Sequence, residues 1–290
     1  MAGDGLMPAA PGDKPIVLCA DDYAQDAGIS AGIRALAAQG RLSATSAMVL
    51  SPRWREDAAP LRDLRGQLDV GLHLDWTSPF AIAAGHGLPL GAAMRRALLG
   101  GFDGAAARGV IERQLDAFEA AWGAPPDHVD GHQHVQQFAG IRQALVGALR
   151  QRYGAHALRP WLRISRAPRG QRDLKAWVIA ALGADALEKI AARAGLPCAT
   201  ALTGIYGFDG DTAGYARRLA VWLAAAPAGT VLMCHPGLAK GAAADDPIAA
   251  ARQREWHCLA GDDLPRALAL AGARVARGSA LYSAAPALNP

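Results

Sequence analysis

Short apolar runs alternate with longer amphipathic segments along this chain of 290 residues, and this alternation restricts the fold more than any other feature. The first apolar run covers residues 16–20, and Ile29, Ile33 and Leu36 follow at the spacing of one helical face. A strand is therefore predicted first, followed by a helix that ends at Gly40. Repeated strand–helix units of this kind are typical of α/β proteins built around a parallel sheet.

The same alternation continues through most of the chain. Further strands are predicted from apolar runs at residues 46–50, 69–74, 158–164 and 231–234, and from a short run that begins at Val129. Helices are predicted where apolar residues share one face, at Ile111, Leu115, Phe118 and Trp122, at Ile141, Leu145 and Leu149, at Tyr215, Leu219 and Trp222, and over most of residues 174–194. About seven such units favour a barrel of parallel strands over an open sheet. Residues 79–104 are rich in Gly, Ala and Pro and are a candidate lid.

Composition favours a single domain with a sizeable apolar core. Hydrophobic residues make up 51% of the chain, and neither an internal repeat nor a linker divides it. One domain over residues 14–290 is therefore predicted, preceded by a loose tail over residues 1–13. The tail lacks the basic start and apolar stretch of a signal peptide, and no segment reaches the roughly 18 apolar residues of a membrane span.

Charge and cysteine usage argue against two other classes of protein. The net charge is +4, and the basic residues are spread out without a Lys/Arg block, so no nucleic-acid partner is predicted. The four cysteines are far apart in sequence and form neither a CxxC metal motif nor a dense disulfide framework. Reduced, buried thiols in a cytoplasmic protein are therefore expected.

Polar residues that suit a metal site follow several of the predicted strands. Asp21 and Asp22 end the first strand, His73 lies in the third, and the fourth enters the segment His-Val-Asp-Gly-His-Gln-His at residues 128–134. His235 follows a late strand. Side chains at the carboxyl ends of parallel strands converge on one face of a barrel. One carboxylate oxygen with two imidazole nitrogens is a ligand set suited to zinc or another divalent ion.

Each of these residues also has a purely structural interpretation. Asp21 or Asp22 could cap the following helix. Successive side chains on a strand point to opposite faces, so the two carboxylates are expected to have different roles. His73 could be a core histidine with satisfied hydrogen bonds, and residues 128–134 could form a solvated polar loop. His235 could protonate a leaving amine, or it could bond a backbone carbonyl.

Four motifs, in order, resemble the landmarks of a known family. They are Cys-Ala-Asp-Asp-Tyr at residues 19–23, Gly-Leu-His-Leu at residues 71–74, His-Val-Asp-Gly-His-Gln-His-Val at residues 128–135 and Leu-Met-Cys-His-Pro-Gly at residues 232–237. The chain thereby resembles the YdjC-like (ChbG/HpnK) carbohydrate deacetylases, with secondary matches at residues 34–46 and 203–209. The similarity extends from about residue 14 to about residue 282 and so covers nearly the whole chain.

The resemblance implies a distorted (β/α) barrel, one divalent metal ion such as Mg²⁺ or Zn²⁺, and hydrolysis of acetylated amino sugars. The family's metal ligands fall on Asp22, His73 and His132. Its general base falls on Asp21, which would deprotonate the attacking water, and its general acid falls on His235.

The resemblance also implies roles for residues around the ligands. Asp130 and His134 are expected to contact the ligands or the substrate, and Arg163 to orient the base or bind sugar oxygens. Trp76 is a candidate for stacking on a sugar ring, with core packing as the alternative. One departure concerns Val231, which stands where the family has an acid four residues before its His-Pro pair.

Trp54 and Trp161 are further candidates for sugar stacking, with the same core-packing alternative. The motifs do not separate three substrates that carry the same acetamide group: an oligosaccharide, an acetylglucosaminyl lipid such as a hopanoid precursor, and a nucleotide- or lipid-linked sugar. A homodimer is consistent with the resemblance. The competing hypotheses are a metal-dependent phosphoesterase or amidohydrolase and a catalytically inactive sugar-binding barrel, although a second carboxylate-rich metal set is missing from the motifs.

Overall fold

The computed structural model describes residues 14–154, 159–171 and 173–282. The predicted tail at residues 1–13 lies outside this description, as does residue 158, where the predicted fifth strand begins. Over the described ranges, no helix combines the length and apolar character needed to cross a lipid bilayer.

A long first strand organises the sheet. Strand β1 (Lys14–Tyr23) pairs with β7 (Thr230–Cys234) along one edge. Along its other edge it pairs with β8 (Ala273–Val275) near its start and with β2 (Ala44–Ala47) near its end. All of these pairings are parallel, so the carboxyl ends of the strands gather on the same side.

The remaining strands extend the sheet in both directions and curl it. The order is β5 (Trp161–Leu162), β4 (His128–Gly131), β3 (Asp69–Leu74), β2, β1, β7 and β6 (Ala201–Thr203), with every pairing parallel. The two edges approach each other, because the Leu162 amide donates to the Pro197 carbonyl at 2.9 Å and the Ala199 amide to the Leu162 carbonyl at 2.9 Å. The predicted distorted (β/α) barrel of about seven parallel strands is confirmed.

Helices are interleaved with the strands. They are α1 (Ala27–Ala38), α2 (Trp54–Leu61), α3 (Pro79–Ala83), α4 (Leu90–Leu98), α5 (Gly104–Trp122), α6 (Ile141–Tyr153), α7 (Leu174–Ala181), α8 (Ala184–Arg193), α9 (Thr212–Ala225), α10 (Ala249–Ala260), α11 (Asp263–Leu270) and α12 (Gly278–Tyr282). Short 3-10 helices cover Arg62–Leu64 and His132–Gln137. The helices expected from the spacing of apolar residues correspond to α1, α5, α6 and α9, with α7 and α8 in residues 174–194.

Alternation along the strands separates two apolar layers. Ile16 and Leu18 belong to a large buried cluster that includes the helices, whereas Val17 and Cys19 belong to a smaller cluster with Val231. The smaller cluster occupies the other face of the strands, because successive side chains on a strand point to opposite faces. Toward the carboxyl ends, the apolar residues of this face give way to the polar residues of the predicted site.

The structure corrects several predicted boundaries. The second strand covers Ala44–Ala47 instead of residues 46–50, and its last residue pairs with Tyr23, the last residue of β1. The fifth strand has two residues where seven were predicted, and it begins only after Pro160, which has no amide hydrogen to donate to a neighbouring strand.

Strands β6 and β8 and helices α10 to α12 were not predicted from the sequence. Each of the two strands has only three residues, too few to show a clear alternation. The candidate lid at residues 79–104 contains α3 and α4, and its role as a lid stays a prediction.

Packing between α5 and α2 offers a test of the core. Phe118 is fully buried and stacks on Trp54 with ring centroids 5.3 Å apart. We expect Phe118→Ala to lower the free energy of unfolding by about 3–5 kcal/mol, because it leaves a cavity in a packed layer. Urea unfolding would measure the change, with Leu99→Ala, at a position that is 85% exposed, as the control expected to change it by less than about 0.5 kcal/mol. Equal effects of the two variants would contradict this account of the core.

Candidate metal centre and active site

Three side chains from distant parts of the chain meet at the carboxyl ends of β1, β3 and β4. The ligand atoms of Asp22, His73 and His132 all lie within 4.8 Å of one another. Asp22 Oδ1 is 3.0 Å from His132 Nδ1 and 3.4 Å from His73 Nε2. Donors about 2.0–2.1 Å from a tetrahedral zinc ion lie about 3.3 Å from one another. The three side chains therefore form a group that could hold one small cation.

An irregularity in β1 brings Asp22 to the same site as its neighbour Asp21, which already follows Val17 and Cys19 on that face. The pairing of β1 with β2 shifts register between Ala20 and Tyr23, and Asp22 has a left-handed φ of 67°. A bulge of this kind redirects side chains that a regular strand would place on opposite faces. Neither carboxylate caps α1, because Asp26 does so by accepting from the Ile29 amide at 2.7 Å.

Asp130 orients His73. Its Oδ1 lies 2.6 Å from His73 Nδ1, which leaves Nε2 of the same ring facing Asp22. Burial by itself would lower the pKa of His73, but the carboxylates of Asp130 and Asp21 outweigh burial and raise it to about 10. Binding of a cation at Nε2 would displace the proton held there.

Arg163 lies beneath the site as a fully buried cation. Its guanidinium donates to both oxygens of Asp21, at 2.7 and 2.8 Å, and lies 3.0 Å from Asp130 Oδ2. Burial alone would raise the pKa of Asp130, but Arg163 and His73 outweigh burial and hold it below its usual range. One guanidinium thus fixes the orientation of two buried carboxylates.

Asp22 also has a cationic partner. Arg252, on α10, donates from its NH2 group to Asp22 Oδ2 at 2.8 Å. Burial would raise the pKa of Asp22, but Arg252 first, and then His132 and His73, hold it well below its usual range. Asp22 is therefore charged and available as a ligand at neutral pH.

His235 lies next to Asp21 and outside the group of three candidate ligands. Its Nε2 is 3.9 Å from Asp21 Oδ2, and its ring packs edge-on against Phe208. The side chain is 12% exposed, so the ring is accessible from the mouth of the barrel. Its backbone amide donates to Glu255 Oε2 at 2.6 Å, whereas its Nδ1 bonds none of the described residues.

Two other groups of donors are less suited to a cation. One joins Cys19, His128 and Asp130, and the other joins Asp21, His73 and Asp130. Asp21 and Asp130 are already paired with Arg163, and burial raises the pKa of the Cys19 thiol well above its usual range. A protonated thiol is a poor metal ligand, so the group that includes Asp22 is the best candidate.

A model of the family described as YdjC-like protein matches residues 15–270. The chain belongs to the YdjC-like family. The resemblance carried by the four motifs is thereby confirmed. The match covers all the strands from β2 to β7 and every candidate ligand described above.

Two relatives have closely similar names. A chitooligosaccharide deacetylase of Serratia marcescens is 29% identical over 240 residues, which cover 77% of this chain and 82% of that protein. A chitooligosaccharide deacetylase of Enterobacter sp. (strain 638) is 30% identical over 179 residues, which cover 55% of this chain and 67% of that protein.

Solved structures share the fold of this YdjC-like chain. A proposed cellobiose-phosphate cleavage protein from Enterococcus faecalis V583 has a TM-score of 0.68 at 17% identity, covering 93% of this chain and 100% of that one. A peptidoglycan N-acetylglucosamine deacetylase has a TM-score of 0.53 at 10% identity, covering 95% of this chain and 92% of that one. At these identities the two structures support the fold alone.

The remaining predicted site residues have different surroundings in this YdjC-like barrel. His134 Nδ1 lies 3.0 Å from Ser165 Oγ, and burial, followed by Arg163 and His235, lowers its pKa well below the usual range. Trp76 is only 2% exposed and packs edge-on against His86 and Phe102. A stacking role for Trp76 would require its ring to be uncovered.

The other two candidate tryptophans are also packed inside. Trp54 stacks on Phe118, and Trp161 stacks on His128 with centroids 4.3 Å apart. Both rings are at most 2% exposed, which agrees with the alternative of core packing.

Sequence reasoning missed four polar residues that support the site: Ser46, Asp246, Arg252 and Glu255. Ser46 donates to Asp130 Oδ2 at 2.5 Å, and Arg252 bridges Asp22 and Asp246. Glu255 is fully buried and contacts the His235 amide. For two of the four, Arg252 and Glu255, the sequence did carry a signal. They have opposite charges three residues apart in an Ala-rich segment, so they share one face if that segment is a helix.

The buried position of Arg163 gives a prediction about stability. We expect Arg163→Gln to lower the free energy of unfolding by about 3–5 kcal/mol, because it leaves two buried carboxylates without their cation. Arg166→Gln is the matched control, three residues along the chain and paired with Glu188 nearer the surface, where such pairs contribute about 0.2–1 kcal/mol. Urea unfolding of both variants would measure the difference, and a similar loss in each would show that burial of Arg163 is not decisive.

Proposed function

We propose that this chain is a metal-dependent carbohydrate deacetylase that removes the N-acetyl group from an acetylated amino sugar. The observation that carries the proposal is the meeting of Asp22, His73 and His132 within 4.8 Å, beside Asp21 and His235. A chito-oligosaccharide is the first substrate to test, because two relatives are named as chitooligosaccharide deacetylases.

The proposed metal ligands are Asp22 through Oδ1, His73 through Nε2 and His132 through Nδ1. Their oxygen and nitrogen atoms suit zinc or another divalent cation, and three protein ligands leave positions open for water and substrate. A divalent metal held there would lower the pKa of a water molecule and polarise the acetamide carbonyl. Asp130 supports the set by fixing the ring of His73 through its 2.6 Å contact with Nδ1.

Asp21 is the proposed general base. Both of its oxygens accept from Arg163, which holds the carboxylate in one orientation. Each carboxylate oxygen has a second lone-pair direction, so Asp21 can also accept a proton from the attacking water. The oxygen of that water then bonds the carbonyl carbon of the acetyl group.

His235 is the proposed general acid. When the C–N bond breaks, the sugar nitrogen needs a proton, and a protonated imidazole can supply it. His235 Nε2 lies 3.9 Å from Asp21 Oδ2. At this distance Asp21 can activate the water that attacks the carbonyl carbon while His235 protonates the nitrogen of the same amide bond. The products are acetate and a free amino sugar, and the enzyme's proton count is restored when the Asp21 proton returns to His235.

Acetate release is the direct test of this function. We expect the purified protein to release acetate from N-acetylated chito-oligosaccharides, to lose this activity in a chelator and to regain it when Zn²⁺ or Mg²⁺ is added back. Enzymatic determination of acetate, alongside metal analysis, would measure both. Release of phosphate from phosphorylated sugars without acetate would support a phosphoesterase, and a metal-free protein without either activity would support a sugar-binding barrel.

The two neighbouring aspartates provide a matched pair of variants. We expect Asp21→Asn to retain metal but to lower kcat by about 10²–10⁴-fold, because the base is lost while the ligand set is intact. We expect Asp22→Asn to lose metal affinity itself, because an amide oxygen is a weaker ligand than a carboxylate. Calorimetric metal titration and acetate assays, with thermal unfolding as a check on folding, would separate the two. Normal turnover by Asp21→Asn would refute its role as the base.

A further inference from the structure

Helix α10 reaches the candidate metal centre through one buried arginine. The Arg252 side chain is 4% exposed, and its NH2 group donates to Asp22 Oδ2 at 2.8 Å. Its Nε donates to Asp246 Oδ2 at 2.7 Å, so the guanidinium bridges two carboxylates. A planar guanidinium can make two such bonds at fixed angles, which an ammonium group cannot do.

This contact divides the two oxygens of Asp22 between different partners. Oδ2 is taken by Arg252, whereas Oδ1 lies 3.0 Å from His132 Nδ1 and 3.4 Å from His73 Nε2. Asp22 also has a left-handed φ, which is uncommon for a residue other than glycine and is held by its surroundings. The carboxylate can therefore present only one oxygen to the two imidazoles.

The helix that carries Arg252 is itself fixed to the site. The Gly237 amide donates to the Arg252 carbonyl at 3.2 Å, and Glu255 accepts from the His235 amide at 2.6 Å. Glu255 also accepts from the hydroxyl of Tyr206 at 2.6 Å. Arg252 thus projects from a backbone that is anchored beside the site, so its guanidinium is held in place from both ends.

We infer that Arg252 is a positioning residue for the metal centre, which restricts Asp22 to a single ligand oxygen aimed at the point where His73 and His132 converge. The inference rests on the proposed function, because it assigns Arg252 a purpose only if Asp22 binds a metal. Arg252 itself touches neither the reacting atoms nor the proposed base.

A different explanation makes the opposite prediction. If Arg252 acted only as a positive charge, it would repel a cation, and its removal would tighten metal binding. If it positions Asp22, its removal frees the carboxylate to rotate, and metal binding weakens. The direction of the change therefore separates the two explanations.

The test measures the affinity for Zn²⁺ by competition with a chromophoric chelator. We expect Arg252→Gln to weaken binding by about 10–100-fold, as is typical when the partner of a metal ligand is lost. Arg252→Lys keeps the charge without the planar fork, and we expect it to resemble the Gln variant. Arg266→Gln, an exposed arginine on α11, is the matched control and is expected to leave the affinity unchanged. Asp246→Asn removes the other anchor of Arg252 and should weaken binding in the same direction if Arg252→Gln does not fold.

The possible results distinguish this inference from the proposed function. Unchanged or tighter Zn²⁺ binding by Arg252→Gln, or full recovery in Arg252→Lys, would overturn the positioning role while acetate release by the wild type upheld the deacetylase. A wild type that binds no metal and releases no acetate would overturn the proposed function itself. Thermal unfolding of the metal-free variants would show whether a loss of affinity arises from Asp22 or from a general loss of structure.

Discussion

The architecture of the site depends on one buried cation placed between two buried carboxylates. Arg163 is fully buried, and it pairs with Asp21 on β1 and with Asp130 on β4. Unpaired carboxylates at these positions would be strongly unfavourable, because burial removes them from water without a compensating charge. The guanidinium stabilises both in their ionised form and fixes their angles. Through Asp130 this constraint continues to His73, so one ion-pair network determines the orientation of a proposed base and of a proposed ligand.

Two of the three proposed ligands are held by a charged partner from a different part of the chain, and the third lies in irregular backbone. Asp22 is held by Arg252 from α10, and His73 is held by Asp130 from β4. His132 begins the 3-10 helix that directly follows β4, where the next residue, Gln133, has a left-handed φ of 53°. The strands thus fix where the ligand residues lie, and the irregular backbone at Asp22 and after His132 sets the direction of their side chains. Conformations of this kind are uncommon in regular structure and occur often at functional sites.

The sequence predicted β1, β3, β4 and β7 and the polar residues at their ends, because both depend on local patterns, whereas the three-residue strands β6 and β8 escaped prediction. Asp69–Leu74 matched its predicted range, and the residues expected at the mouth of the barrel converge there. Contacts that depend on tertiary structure could not be predicted. The bulge before Tyr23 is set by pairing with β2, which no periodicity in β1 reveals. Arg252 lies 230 residues from Asp22 in a helix with little amphipathic character, and its burial follows only from the fold.

Val231 illustrates how the fold changes the meaning of a sequence departure. The position lies four residues before His235, which is about 13 Å along an extended strand. Val231 is fully buried in the small apolar cluster with Val17, so an acid there could not bond the His235 ring directly. The structure instead supports His235 through its backbone, whose amide donates to Glu255 Oε2, and through its ring, which packs edge-on against Phe208. For the proposed general acid this leaves Nε2 available to exchange a proton, because neither the backbone contact with Glu255 nor the packing against Phe208 occupies a ring nitrogen.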